Sequence, residues 1–264
     1  MKLKNRRILI SAASLLLIVG IIVAFWNFSV GNRKRIANQN EEYLSELTVQ
    51  RTISINNMMD ENLHFITTTA YLYAESLTAP QADVSVIRRY EESTAFEMLR
   101  FIDRNGDNYT SKGIAANLAD RAYFQAGMRG ETGITYVAKS RVTGQKQLGY
   151  YSPVYYQGEI IGVMVGFYGE DYIRRTLDYE LFGYEGEGWL CTPDGSVVGS
   201  TLDKEPDNYL EYLADTKRCT GEELEKIKQA LEAGKADSFS YTKENQEAIA
   251  YIAPLAHEDR KSVV

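Results

Sequence analysis

Arg121, Tyr123 and Phe124 stand within the segment Asp120-Arg121-Ala122-Tyr123-Phe124, and their types could hold a small ligand. A guanidinium is planar, keeps its charge at any physiological pH and grips a carboxylate through two parallel hydrogen bonds. Rings beside it would supply the apolar walls that small-molecule sites place around a few polar anchors. Tyr136, Ser140, Tyr150 and Phe167 follow on predicted strands and are candidates to face the same helix. Each has a plainer alternative: a surface ion pair of Arg121 with Asp120 or Glu97, and ordinary core or sheet packing for the rest. Residues two apart do not share a helix face. Arg121 and Tyr123 therefore converge only if Arg121 lies in the loop before the helix. The ligand expected of such a site is a small carboxylate or other small anion.

Other chemistries find little support. His64 and His257 are the only histidines, and neither neighbours a cluster that could bind a metal or form a catalytic base. No G-x-S-x-G motif or Ser/His/Asp set occurs, and the adjacent carboxylates Glu91 and Glu92 fall in a solvated helix. An enzyme is not expected, and no cofactor is implied. Asp103, Asn105 and Asp107 begin like a calcium loop, but Asn108 stands where that loop needs glycine and Ile114 where it needs glutamate. Asn105-Gly106 instead predicts a hairpin turn. Asn108-Tyr109-Thr110 is formally a glycosylation sequon. Cys191 and Cys219, the only cysteines, lie too far apart for a zinc knuckle or a redox pair; a disulfide and two free thiols both remain open. A net charge of −7 over 264 residues argues against a nucleic-acid partner, whose phosphates require a basic surface.

These side chains need elements to position them. Residues 8–30, ILISAASLLLIVGIIVAFWNFSV, carry no charge, and a spanning helix needs about 20 apolar residues. Lys2, Lys4, Arg6 and Arg7 precede the stretch and Arg33, Lys34 and Arg35 follow it, a balance that favours the N-terminus inside. A cleaved signal peptide would have a shorter apolar core and a small-residue cleavage site, so an uncleaved anchor is expected, in the cell membrane, with residues after about 31 outside. Ile55, Met59, Leu63, Ile66, Ala70, Tyr73 and Leu77 then step by threes and fours along one face of a long helix that Pro80 ends. That stripe could cover a sheet, pair with a second copy in a homodimer, or do both. The polar first half reads as a solvated stalk.

Beyond a helix or loop at 82–93, strands are predicted at 97–103, 133–140, 145–156 and 159–168, with a helix at 121–128 capped by Asp120 and closed by Gly130. Gly162 and Gly166 inside a strand signal close backbone approach, a bulge or room for a ligand. A helix at 170–179 leaves this sheet. A glycine-rich loop at 183–188 has neither the leading strand nor the following helix of a dinucleotide site. Strands at 189–192 and 196–199, helices at 207–214 and from Thr220 to Ala233, and strands at 238–243 and 248–254 complete a second unit. The Thr220/Glu223 pair predicts a capping box. This order lacks a final strand, and DRKSVV in the tail 257–264 reads as non-native.

The segments Asp120 to Phe124, Ser140 to Gly144, and Ser152-Pro153-Val154 through Gly158, Gly162, Val163 and Gly166 resemble those of the double Cache extracytoplasmic sensor region of bacterial transmembrane receptors. The resemblance runs from Arg33 to about Leu255. It implies an α+β fold: an N-terminal transmembrane helix continuing into a long helix, then two tandem PAS-like antiparallel-sheet subdomains, the second incomplete. The parts would be a cytoplasmic basic tail (1–7), the membrane helix (8–30), a stalk and dimer helix (31–79), a membrane-distal subdomain with the ligand pocket (80–182), a truncated membrane-proximal subdomain (183–256) and the tail (257–264). Amino-acid binders of the family are implied to use an arginine and two aromatics at Arg121, Tyr123 and Phe124, the middle one usually tryptophan. They also place an aspartate where this chain has Phe167, so a strong amine requirement is not expected. The implied function is sensing of a small carboxylate-type metabolite and relay across the membrane to a missing output domain, a diguanylate cyclase by family habit. The alternatives are a histidine kinase, a methyl-accepting chemotaxis receptor, or a membrane-anchored solute-binding module that does not signal.

Overall fold

Neither glycine nor proline interrupts residues 32–79, and the chain up to Glu75 belongs to one continuous helix, α1 (Lys2–Glu75), which ends before the predicted stop at Pro80. The computed structural model describes the backbone of residues 2–177, 187–243, 246–255 and 261–263; side chains of 2–20, 33–34, 37–38, 240, 242–243, 246–247 and 261–263 lie outside that description. Residues 178–179 of the predicted helix, 183–186 of the glycine-rich loop and 257–260 of the tail, with His257, are likewise outside it.

The chain divides into two compact units, Met1–Leu47 and Thr48–Val264. In the first, Ile21, Ile22, Val23, Phe25, Trp26, Phe28 and Val30 are all exposed, Phe25 at 72% and Trp26 at 71%. The side chains of 8–20, the greater part of the expected membrane span, are outside the description, and among the described residues no helix is long and apolar enough to cross a membrane.

The second unit carries both sheets. The α1 stripe is buried as its period demands: Ile55, Met59, Ile66, Ala70 and Tyr73, with Leu77 just past the helix end, share a core with Leu99, Phe101, Leu148, Tyr150 and Met164. The stripe therefore covers the helix's own sheet. A short helix α2 (Val84–Ser93), capped by Asp83 through Ser85 N at 2.9 Å and Val86 N at 3.2 Å, contributes Val86 and Ile87 to that core.

The first sheet is antiparallel, with spatial order β3-β2-β1-β6-β5-β4. Its strands are β1 (Met98–Asp103), β2 (Asp107–Thr110), β3 (Gly113–Asn117), β4 (Gly133–Val137), β5 (Gln147–Tyr156) and β6 (Glu159–Tyr168). Gly106, at φ 83°, turns β1 into β2 as the Asn-Gly pair predicted. The short edge strand β3 was not anticipated, and β4 stops at Val137 instead of residue 140. A Cβ on Gly166 would lie 2.3 Å from the Phe96 ring, so this strand glycine admits a neighbouring side chain and not a ligand. Opposite α1, the sheet carries α3 (Ala122–Met128).

After α4 (Glu170–Leu177) the second sheet forms from β7 (Trp189–Cys191), β8 (Val197–Ser200), β9 (Asp237–Lys243), β10 (Gln246–Pro254) and β11 (Lys261–Val263). Helices α5 (Tyr209–Asp215) and α6 (Gly221–Ala233) cover it around Trp189, Leu213, Ile227 and Ile252. The Thr220/Glu223 capping box is present, and Gly234 ends α6 at φ 64°. The order β8-β7-β11-β10-β9 corrects the expectation of an incomplete sheet. Residues 261–263 are a strand that pairs Lys261 with Cys191 on one side and Val263 with Ile252 on the other. Backbone groups along β7 and β10 need partners whatever side chains supply them, and a Lys-Ser-Val triplet carries no alternation to announce this role. Cys191 is buried and Cys219 half-buried, and both are free.

Candidate functional site

Arg121 is the N-cap of α3, with extended backbone (φ −76°, ψ 132°) and no side-chain capping bond. The helix begins at Ala122, one residue later than expected. Asp120 does not cap it: its carboxylate accepts two hydrogen bonds from Arg141, at 2.9 and 2.8 Å. These bonds hold the Asp120 carboxyl down at about 2. Because Arg121 precedes the helix, the 3.6-residue period does not separate it from Tyr123, and both line one small cavity.

That cavity lies between α3, the first sheet and the loop 138–146, and has a volume of about 30 Å³. At roughly 10–15 Å³ per water, it holds two or three. Phe167 and Tyr123 meet edge to face with centroids 6.1 Å apart and form one wall; Val137, Val142, Leu118 and Met98 add apolar surface. Burial pushes the Tyr123 hydroxyl up to about 12, so it stays a donor. Ser140 anchors the loop: its Oγ accepts from Val142 N at 3.3 Å and Thr143 N at 3.2 Å, and Ser140, Val142 and Thr143 all reach the cavity.

Three guanidinium groups face this space, those of Arg100, Arg121 and Arg141. Arg141 is neutralised by Asp120. Arg100 is paired with Glu91, whose other oxygen accepts from Ser111 N at 3.1 Å. Burial lowers the Arg100 value, and Glu91 opposes that shift. Arg121 donates to the Lys139 carbonyl, at 3.4 Å, and forms no ion pair among the described residues, its neighbour Asp120 being bonded to Arg141. One positive charge is left over, on the residue at the helix start. Among the described residues no cluster of His, Cys, Asp or Glu could hold a metal ion. A wider cleft of about 500 Å³ adjoins the cavity and shares Met98, Arg100 and Val142 with it.

Of the seven predicted site residues, Arg121, Tyr123, Ser140 and Phe167 come together here. Phe124 is buried in the core beneath α3 without reaching the cavity. Tyr136 and Tyr150 lie on the opposite face. The Tyr136 hydroxyl donates to the Val197 carbonyl at 2.8 Å, toward the second sheet. Tyr150 packs against Phe96 and Tyr168 on the α1 side, with centroids at 5.8 and 6.1 Å. Strand parity is the cause: Phe167 pairs with Gly149, one residue before Tyr150, and Val137, not Tyr136, points into the cavity. Met98, Arg100 and Asn108 were missed because β1 and β2 were read as a hairpin with no face assigned. Asn108 is also only 1% exposed, so the folded chain does not present its sequon for glycosylation.

A family model described as Cache domain matches residues 32–260. The ligand-binding domain of the Pseudomonas fluorescens chemoreceptor CtaA in complex with L-isoleucine is similar in structure, with a TM-score of 0.67 at 16% identity over 88% of this chain and 93% of that one. The same receptor's domain in complex with L-alanine gives 0.60 at 17% identity, over 84% and 94%. The sensory domain of the Campylobacter jejuni chemoreceptor Tlp3 gives 0.61 at 12% identity, over 84% and 91%. No curated protein matches the chain. The solved structures share the fold at low identity, while the family model spans most of the sequence: the chain belongs to the Cache domain family.

Proposed function

We propose that this chain is the extracytoplasmic sensing region of a membrane receptor and that its cavity takes a small carboxylate held by Arg121. The observation that carries this reading is the charge count, three guanidinium groups against two carboxylates, with the uncompensated charge beside Tyr123 and Phe167. The described chemoreceptor domains are in complex with amino acids, which supports a small carboxylate-bearing ligand. The exposed apolar side chains from Ile21 to Val30 support a membrane anchor over 8–30, since water disfavours a helix apolar all round. A homodimer through α1 and a relay to an output domain complete the proposal. That output is a diguanylate cyclase on family habit. The chemoreceptor neighbours favour the alternative of a chemotaxis receptor. No catalytic role is assigned.

Calorimetric titration with a panel of short carboxylates tests the site. Arg121→Ala is expected to weaken every carboxylate that binds by about 10- to 100-fold, the worth of a charge-assisted hydrogen bond. An unchanged affinity would remove Arg121 as the anchor.

A further inference from the structure

Asn108 lies on β2, is 1% exposed and lines the same cavity as Arg121. Its Oδ1 is buried and accepts no hydrogen bond. Buried polar atoms in folded proteins are almost always paired, and an orphan on a side chain that lines a cavity marks a place where another molecule can complete the bond. The cavity beside it has room for two or three waters.

The charges around Asn108 limit what can complete the bond. None of the described lining residues is acidic, and three are arginines. The two nearby carboxylates, Glu91 and Asp120, are each held by an arginine. A ligand ammonium would sit among like charges with only neutral acceptors to receive it. A hydroxyl donates one hydrogen bond and brings no charge. We infer that Asn108 is a second anchor, whose Oδ1 accepts from a hydroxyl beside the ligand carboxylate, so that the site selects a small 2-hydroxycarboxylate over the matching 2-aminocarboxylate. This rests on Arg121 holding the carboxylate. Even the shortest members exceed the few waters this volume holds, so the cavity widens to take them and longer members are disfavoured.

Three probes share a carbon skeleton and differ only at C2: (S)-2-hydroxypropanoate, propanoate and L-alanine. Titrated into the full chain in detergent, the hydroxy acid is expected to bind about tenfold tighter than propanoate, the yield of one buried hydrogen bond, and tighter than alanine. Asn108→Leu, close in volume, should erase the hydroxyl advantage, so that hydroxypropanoate and propanoate bind alike. Asn108→Asp should reverse the order in favour of alanine. Thermal unfolding of each variant establishes that it folds, and the wild-type order stands as a test without them. Equal binding of hydroxypropanoate and propanoate to the wild type, tighter binding of alanine, or no binding of hydroxypropanoate at millimolar concentration would overturn the inference. If some other carboxylate then binds and depends on Arg121, the anchor reading survives alone. If Arg121→Ala leaves binding unchanged, that reading falls as well.

Discussion

Asp120 and Arg121 are chain neighbours with separate duties. Asp120 reaches 21 positions ahead to Arg141 and closes the loop that carries Ser140, Val142 and Thr143 over the cavity. Arg121 thereby forms no ion pair with its nearest carboxylate, although its charge still helps to lower the Asp120 value. The Asp120 carboxyl is held at about 2, chiefly by its hydrogen bonds to Arg141, below the ordinary carboxylate value of about 3.9. A lowered folded value means that the pair contributes stability above the ordinary value and loses it as pH falls through about 2. Carboxyl NMR titration should show Asp120 ionised throughout the range in which other surface aspartates protonate. Arg141→Ala should raise it toward the ordinary carboxylate value. An unshifted Asp120 in the wild type would mean that the loop is not latched in solution.

The long helix and its sheet decide which residues can meet. The stripe from Ile55 to Leu77 is buried against the first sheet, while Val49, Ile53, Phe65, Tyr71 and Leu72 remain exposed. Ile66→Ala should therefore cost about 3 kcal/mol in denaturant unfolding, within the usual range for a fully buried isoleucine. Ile53→Ala, at a position 55% exposed, should change stability by less than about 0.5 kcal/mol. A large loss at Ile53 would instead mean that a second copy covers that face. Strand parity acts with equal force: one residue of offset sends Tyr136 and Tyr150 to the helix-covered face and Val137 and Phe167 to the cavity.

The two sheets are joined beside the cavity. Lys146, next to the cavity residue Gln147, binds Glu205 at 2.8 Å, and Glu205 accepts Ser200 N of β8 at 2.7 Å. The Tyr136 hydroxyl adds a bond to Val197 on the same strand. Energetic coupling needs an element that both sites bias, and the loop 138–146 reaches the cavity at one end and, through Glu205, β8 at the other. With a bound carboxylate, hydrogen exchange at Val197–Ser200 is expected to slow in the wild type. In Lys146→Ala that slowing should be lost, with affinity changed less than about threefold, because Lys146 is outside the cavity. Retained protection in the variant would place the coupling elsewhere.

Much of this arrangement follows from residue types alone. The α1 stripe, the Asn105-Gly106 turn, the Thr220/Glu223 capping box, the Gly234 helix end and the meeting of Arg121 with Tyr123 at one cavity all rest on interactions within a few positions, where spacing and side-chain chemistry dictate geometry. The cap lost from Asp120, the face taken by Tyr136 and Tyr150, the strand 261–263 and the orphaned oxygen of Asn108 depend on partners far along the chain. Hydrogen bonding and burial in a folded protein are settled by whichever group arrives in space, and that competition between distant segments is resolved only when the sheets close around the helix.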